Sequence, residues 1–154
     1  MTASKRGPSE RVGVLVSRYN ETVTDRLLAG ARACLAERGV AAEAVDVVRL
    51  PGAWELPFAA RELAQRGCYR AIVALGAVIR GETAHFEYVA GEASRGLMDV
   101  ALRYGVPVGF GLLTCDTLEQ ALARAGGEAG NKGYEAAAAA LDAAEAARGD
   151  ADPR

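Results

Sequence analysis

The residues best placed to do chemistry lie in GAVIRGETAHFEYV, residues 76–89, where an apolar run ends in the glycine-flanked turn Gly81-Glu82-Thr83 and the chain's one histidine, His85, follows two residues later. The first N–H groups of a helix have no internal partner and carry the positive end of its dipole, so a Gly-Glu-Thr turn opening a helix suits a phosphate. An imidazole titrates near neutrality and can both give and take a proton. Together they read as a phosphate pocket with an acid–base group beside it. A glycine-rich turn also serves simple chain reversal, and a lone helical histidine is often a surface residue, so the pattern by itself leaves both readings open.

The elements that must position these groups follow from hydrophobic periodicity. Buried strands are expected at Arg11–Ser17, at Glu43–Leu50, at Ala71–Leu75 with a break at Gly76, and at Val106–Leu113. Helical spacing predicts helices over residues 22–38, closed by Gly39, and 55–65, stopped by Gly67. A third helix opens at Glu82–Thr83 and reaches Tyr104, with Gly91 and Gly96 inside it. Further helices are expected at 118–125 and, after the glycine-rich break Gly126–Gly133, at 134–148, a stretch built mostly of alanine. Four strands alternate with helices through connections too long for hairpins, so the fold class is α/β. It is a flavodoxin-like three-layer sandwich with a four-stranded parallel sheet flanked by helices. Ligands in such sheets bind beyond the carboxyl ends of the strands, where Tyr19-Asn20, Gly52–Glu55 and Val78–His85 stand.

The 154 residues are expected to form one domain, residues 11–148, between a flexible lead-in, 1–10, and a flexible tail, 149–154. Lys plus Arg number 18 against 20 Asp plus Glu, with no basic run, which argues against nucleic acid. Cys34, Cys68 and Cys115 are widely spaced and lack a CxxC pair, as expected of reduced thiols in a cytoplasmic protein. One histidine makes a dedicated zinc site unpromising, and no apolar run approaches a membrane span.

Five segments, SRYN (17–20), PGAWELP (51–57), GAVIRGETAHFEYV (76–89), PVGFGLLT (107–114) and TLEQALARAGGEAGNKGYEAA (117–137), occur in an order that resembles the lumazine synthase family of riboflavin biosynthesis. The resemblance covers nearly the whole chain from Val12. It implies condensation of 5-amino-6-(D-ribitylamino)uracil with 3,4-dihydroxy-2-butanone 4-phosphate to 6,7-dimethyl-8-ribityllumazine, a transferase reaction releasing phosphate and water, with no metal or organic cofactor.

The resemblance also implies roles. Tyr19, with Asn20 beside it, takes the place of an aromatic residue, usually Phe or Trp, that stacks on the pyrimidine. Backbone groups of Ala53 and Trp54 read the uracil edge, and Glu55 accepts from ribityl hydroxyls, although a first-turn carboxylate could equally serve its own helix. Val78, Ile79 and Arg80 form a further wall. Gly81, Glu82, Thr83 and Arg124 bind phosphate, and Glu135 holds Arg124. Phe110 and Lys132 complete the pocket from the neighbouring subunit, and His85 is the catalytic acid–base residue. A homo-oligomer is implied: a pentamer, with the short link Ala125–Gly133 pointing to twelve pentamers closed into an icosahedral shell.

Overall fold

The computed structural model describes residues 10–150. The expected lead-in and tail therefore lie mostly outside the described residues. Strands β1 (Arg11–Ser17), β2 (Val45–Leu50), β3 (Tyr69–Ile79) and β4 (Val108–Cys115) form one parallel sheet in the order β2-β1-β3-β4. Helices α1 (Glu21–Glu37), α2 (Leu56–Gln65), α3 (His85–Tyr104), α4 (Leu118–Ala123) and α5 (Lys132–Glu145) flank it. The short strands β5 (Ala125–Gly127) and β6 (Gly130–Asn131) make a small antiparallel hairpin between α4 and α5.

Both faces of the sheet are covered, which is why its strands read as continuous apolar runs. Val12, Val14 and Val16 of β1 and Ala71, Val73 and Leu75 of β3 pack under α1 and α5. The alternate residues Leu15, Ile72 and Ala74 pack under α2 and α3. The three-layer α/β arrangement is thus as expected.

β2 begins two residues later than expected and β4 is shifted by two, and three further boundaries differ from the periodicity. β3 does not stop at Gly76 but pairs with β4 through Ile79. Gly76 is there for space, since a Cβ would lie 3.0 Å from both Leu112 Cδ1 and Ser17 Oγ. The third helix begins at His85, not at Glu82, because Ala84 is its cap and Gly81–Ala84 form an irregular turn. The glycine-rich break holds the β5–β6 hairpin, and α5 starts at Lys132, where Asn131 Oδ1 accepts from the N–H groups of Gly133 and Tyr134.

The two glycines within α3 separate cleanly. A Cβ on Gly96 would come within 2.8 Å of Pro57 Cβ, so this glycine lets α2 and α3 approach, whereas Gly91 meets nothing within 4 Å. We therefore expect Gly91→Ala to raise stability by up to ~1 kcal/mol through helix propensity. Gly96→Ala should lower it despite the same gain, because the proline ring cannot swing aside. Chemical denaturation of the two variants checks this.

The amino ends of the strands, opposite the site, are tied by one carboxylate. Arg11 donates from Nε and Nη2 to Asp46 at 2.8 and 2.6 Å, and the Tyr69 hydroxyl donates to Asp46 at 2.7 Å. The Arg11 bond first and the Tyr69 bond second hold the Asp46 carboxyl down at about 2, against an ordinary 3.8. A carboxyl depressed in the folded state contributes stability above its unfolded pKa and loses it as pH falls through the folded one. The thermal midpoint should therefore fall more steeply between about pH 4 and pH 2 in the wild type than in Asp46→Asn. Parallel slopes in thermal melts would contradict the assignment.

Candidate functional site

A cleft of about 780 Å³ opens at the carboxyl ends of β1, β2 and β3, against the first turns of α3. That volume is in the range of small-molecule sites. Its wall takes Tyr19 and Asn20 from the end of β1, Gly52 to Glu55 after β2, and Ala77, Val78 and Ile79 from β3. The turn before α3 adds Gly81 and Thr83, and α3 itself adds His85, Phe86, Tyr88 and Val89.

Backbone and side-chain bonds fix this edge of the sheet. The N–H groups of Arg18 and Tyr19 donate to the carbonyls of Leu50 and Pro51 at 2.8 and 3.1 Å, so the β1 and β2 ends move together. Asn20 sits at φ +64° and its Nδ2 donates to the Ala77 carbonyl at 2.9 Å. Few side chains tolerate that left-handed backbone, and asparagine is one of them. Asn20 thus spends its amide donor joining β1 to β3 while lining the cleft. Tyr19 and Trp54 are 73% and 57% exposed, leaving both rings open to a flat ligand.

Glu55 Oε1 accepts from the Gly52 N–H at 3.0 Å, which closes the turn before α2. One carboxylate oxygen therefore serves the local turn, as its position at a helix start allows. In the turn before α3, Thr83 Oγ1 accepts from the His85 N–H at 3.3 Å. Its own hydroxyl proton is left to donate elsewhere. The exposed imidazole of His85 opens the helix and faces the same cleft as Tyr19 and Glu55.

The structure brings together Tyr19, Asn20, Ala53, Trp54, Glu55, Val78, Ile79, Gly81, Thr83 and His85. Arg80, Glu82, Phe110, Arg124 and Lys132 are not part of this wall. Phe110 projects from the edge strand β4, 51% exposed. Arg124 caps α4, and its Nη1 donates to the Gln120 carbonyl at 3.0 Å. Glu135 pairs not with Arg124 but with Lys132, Nζ to Oε1 at 3.0 Å, because those two are one turn apart on α5. Lys132 N–H in turn donates to the Arg124 carbonyl at 2.8 Å, which closes the β5–β6 hairpin and brings the two backbones together.

Phe86, Tyr88 and Val89 were not singled out from the sequence, yet they line the cleft. Tyr88 and Val89 stand three and four residues after His85, on its helix face, and that spacing was the available signal. Among the described residues no cluster of His, Cys, Asp and Glu could hold a metal ion, and no helix is long and apolar enough to cross a membrane.

A family profile described as 6,7-dimethyl-8-ribityllumazine synthase matches residues 9–148. A 6,7-dimethyl-8-ribityllumazine synthase of Nitratidesulfovibrio vulgaris (strain Miyazaki F) is 54% identical over 132 residues, covering 86% of this chain and 85% of that protein. One of Desulfovibrio desulfuricans is 53% identical over 132 residues, with the same two coverages. The cleft described above thus lies within the matched stretch, and the chain belongs to the 6,7-dimethyl-8-ribityllumazine synthase family.

Proposed function

We propose that the protein condenses 5-amino-6-(D-ribitylamino)uracil with 3,4-dihydroxy-2-butanone 4-phosphate, releasing phosphate and water, in a site shared between adjacent subunits of a pentamer. One observation carries the shared-site reading. Among the described residues, the cleft wall of a single chain holds aromatic rings, a carboxylate and an imidazole but no lysine or arginine, although one substrate is a phosphate ester. Buried or half-buried anions need a counter-charge. Arg124, which lies off the cleft of its own chain, supplies it from a neighbour, while Phe110 and Lys132 of that neighbour complete the pocket.

In this account Tyr19 stacks on the pyrimidine, beside Asn20, and backbone groups of Ala53 and Trp54 read its edge. The free oxygen of Glu55 accepts from the ribityl chain, and Val78 and Ile79 close the pocket. Gly81, Glu82 and Thr83 approach the phosphate. His85 moves protons during imine formation, loss of water, phosphate elimination and ring closure, steps that each require one. Residues 11–148 act as a single domain in the cytoplasm, without a metal or organic cofactor. The short β5–β6 link favours closure of twelve pentamers into a shell, and a particle of single-pentamer size in light scattering would oppose it.

The assay is direct: with both substrates present, lumazine absorbance should rise well above the spontaneous rate. A rise no faster than the protein-free control would overturn the function.

A further inference from the structure

Arg80 stands between two residues of the cleft wall, Ile79 and Gly81, yet its side chain turns to other partners. Its backbone N–H donates to the Cys115 carbonyl at 2.8 Å, at the last rung between β3 and β4. Its Nε donates to Asp116 Oδ1 at 2.8 Å, its Nη1 bonds Glu87, and its guanidinium carbon lies 4.3 Å above the Phe86 ring. Asp116 is itself fixed, since its N–H donates to Gln120 Oε1 at 2.8 Å in the first turn of α4.

One side chain therefore ties the end of β4 to the first turn of α3, across the irregular turn Gly81–Ala84. That turn has little of its own to hold it: its residues are exposed, and its Thr83–His85 bond is long at 3.3 Å. Two carboxylates on its nitrogens and a ring against its face hold the guanidinium on Asp116, Glu87 and Phe86, and Arg80 is not part of the cleft wall. We propose that Arg80 is a positioning residue that clamps both ends of the Gly81–Ala84 turn and so sets where Thr83 and His85 meet the phosphorylated substrate. This rests on the functional reading above, and it moves Arg80 from the pyrimidine wall implied by resemblance to a role behind the phosphate turn.

A planar guanidinium can serve two carboxylates in fixed directions, whereas a lysine ammonium is a single point charge. Exposed ion pairs add little to stability. The clamp should therefore show in binding and not in melting. In the assembled protein, Arg80→Lys and Asp116→Asn should each raise KM for the phosphorylated ketone and the inhibition constant of inorganic phosphate by roughly tenfold or more, as expected of a displaced turn. KM for the pyrimidine, the sedimentation coefficient and the thermal midpoint should hold.

The double variant should be no worse than Arg80→Lys alone, because both remove one clamp. Wild-type ketone and phosphate constants in Arg80→Lys, a rise confined to the pyrimidine KM, or fully additive losses would each overturn the clamp. If the unaltered protein makes no lumazine above the spontaneous rate, the functional reading itself falls, a result distinct from an active wild type with indifferent Arg80 variants.

Discussion

Replacing Arg124 by alanine should raise KM for the phosphorylated ketone by about 10²-fold or more and leave KM for the pyrimidine within about twofold. The size follows from what a guanidinium does for a phosphate: two parallel charge-assisted hydrogen bonds, each worth about 1.5 to 3 kcal/mol, where every 1.4 kcal/mol is a factor of ten. Among the described residues no lysine or arginine lines the cleft of a single chain, so no second cation among them stands ready to compensate. Among the described residues the Arg124 side chain bonds one partner, the Gln120 carbonyl of its own helix, an interaction that is easily exchanged for a substrate oxygen. Arg124→Lys should recover part of the loss through its charge but not the fork geometry. Steady-state kinetics with each substrate varied in turn reads the split, and equal effects on both constants would remove Arg124 from the phosphate role.

The second large effect is expected at His85, with the opposite signature. His85→Ala should lower kcat by about 10²-fold, and by no more than about 10⁴-fold, with both Michaelis constants and the assembly preserved. General acid–base help has that ceiling, while holding two reactants together is worth effective molarities of about 10⁵ to 10⁸ M. The imidazole stands exposed at the first residue of α3, bonded through its backbone to Thr83, so trimming it leaves the turn in place. A correctly assembled His85→Ala protein with no catalysis above the spontaneous rate would show that the imidazole creates the reaction instead of tuning it.

How much of this could be read from the chain alone depends on which force sets each feature. The strand and helix order was legible because burial on both sheet faces writes continuous apolar runs for β1 and β3, and helical spacing marks α1 through Val23, Leu27, Leu28, Ala31 and Leu35. Gly76 misled because a glycine in an apolar run signals a turn as readily as a tight contact, and only the packed neighbours Leu112 and Ser17 distinguish them. The same ambiguity hid the difference between Gly91 and Gly96 until Pro57 was seen against one of them.

At the site, Tyr19, Glu55 and His85 were legible as the residues at strand ends and a helix start, and the structure places all three in one cleft. The start of α3 at His85, and hence the exclusion of Glu82 and Thr83 from the helix, was not, since Ala84 caps the helix with no side-chain bond and periodicity does not mark such a start. Arg80 shows the limit most clearly. Its place beside the Gly81–Ala84 turn is a sequence fact, but its engagement with Asp116 and Glu87 depends on how β4 and α3 are brought together in space.

The claim that the site is completed by a neighbour is tested most directly by mixing subunits. One variant carries Glu55→Ala and His85→Ala, the other Arg124→Ala and Lys132→Ala, and the two are co-assembled in equal amounts. In a ring of head-to-tail contacts, about one quarter of the interfaces then join an intact cleft to an intact neighbour. Lumazine formation should recover to about a quarter of the wild-type rate. Activity no greater than the sum of the two variants assayed apart would contradict a site shared between subunits.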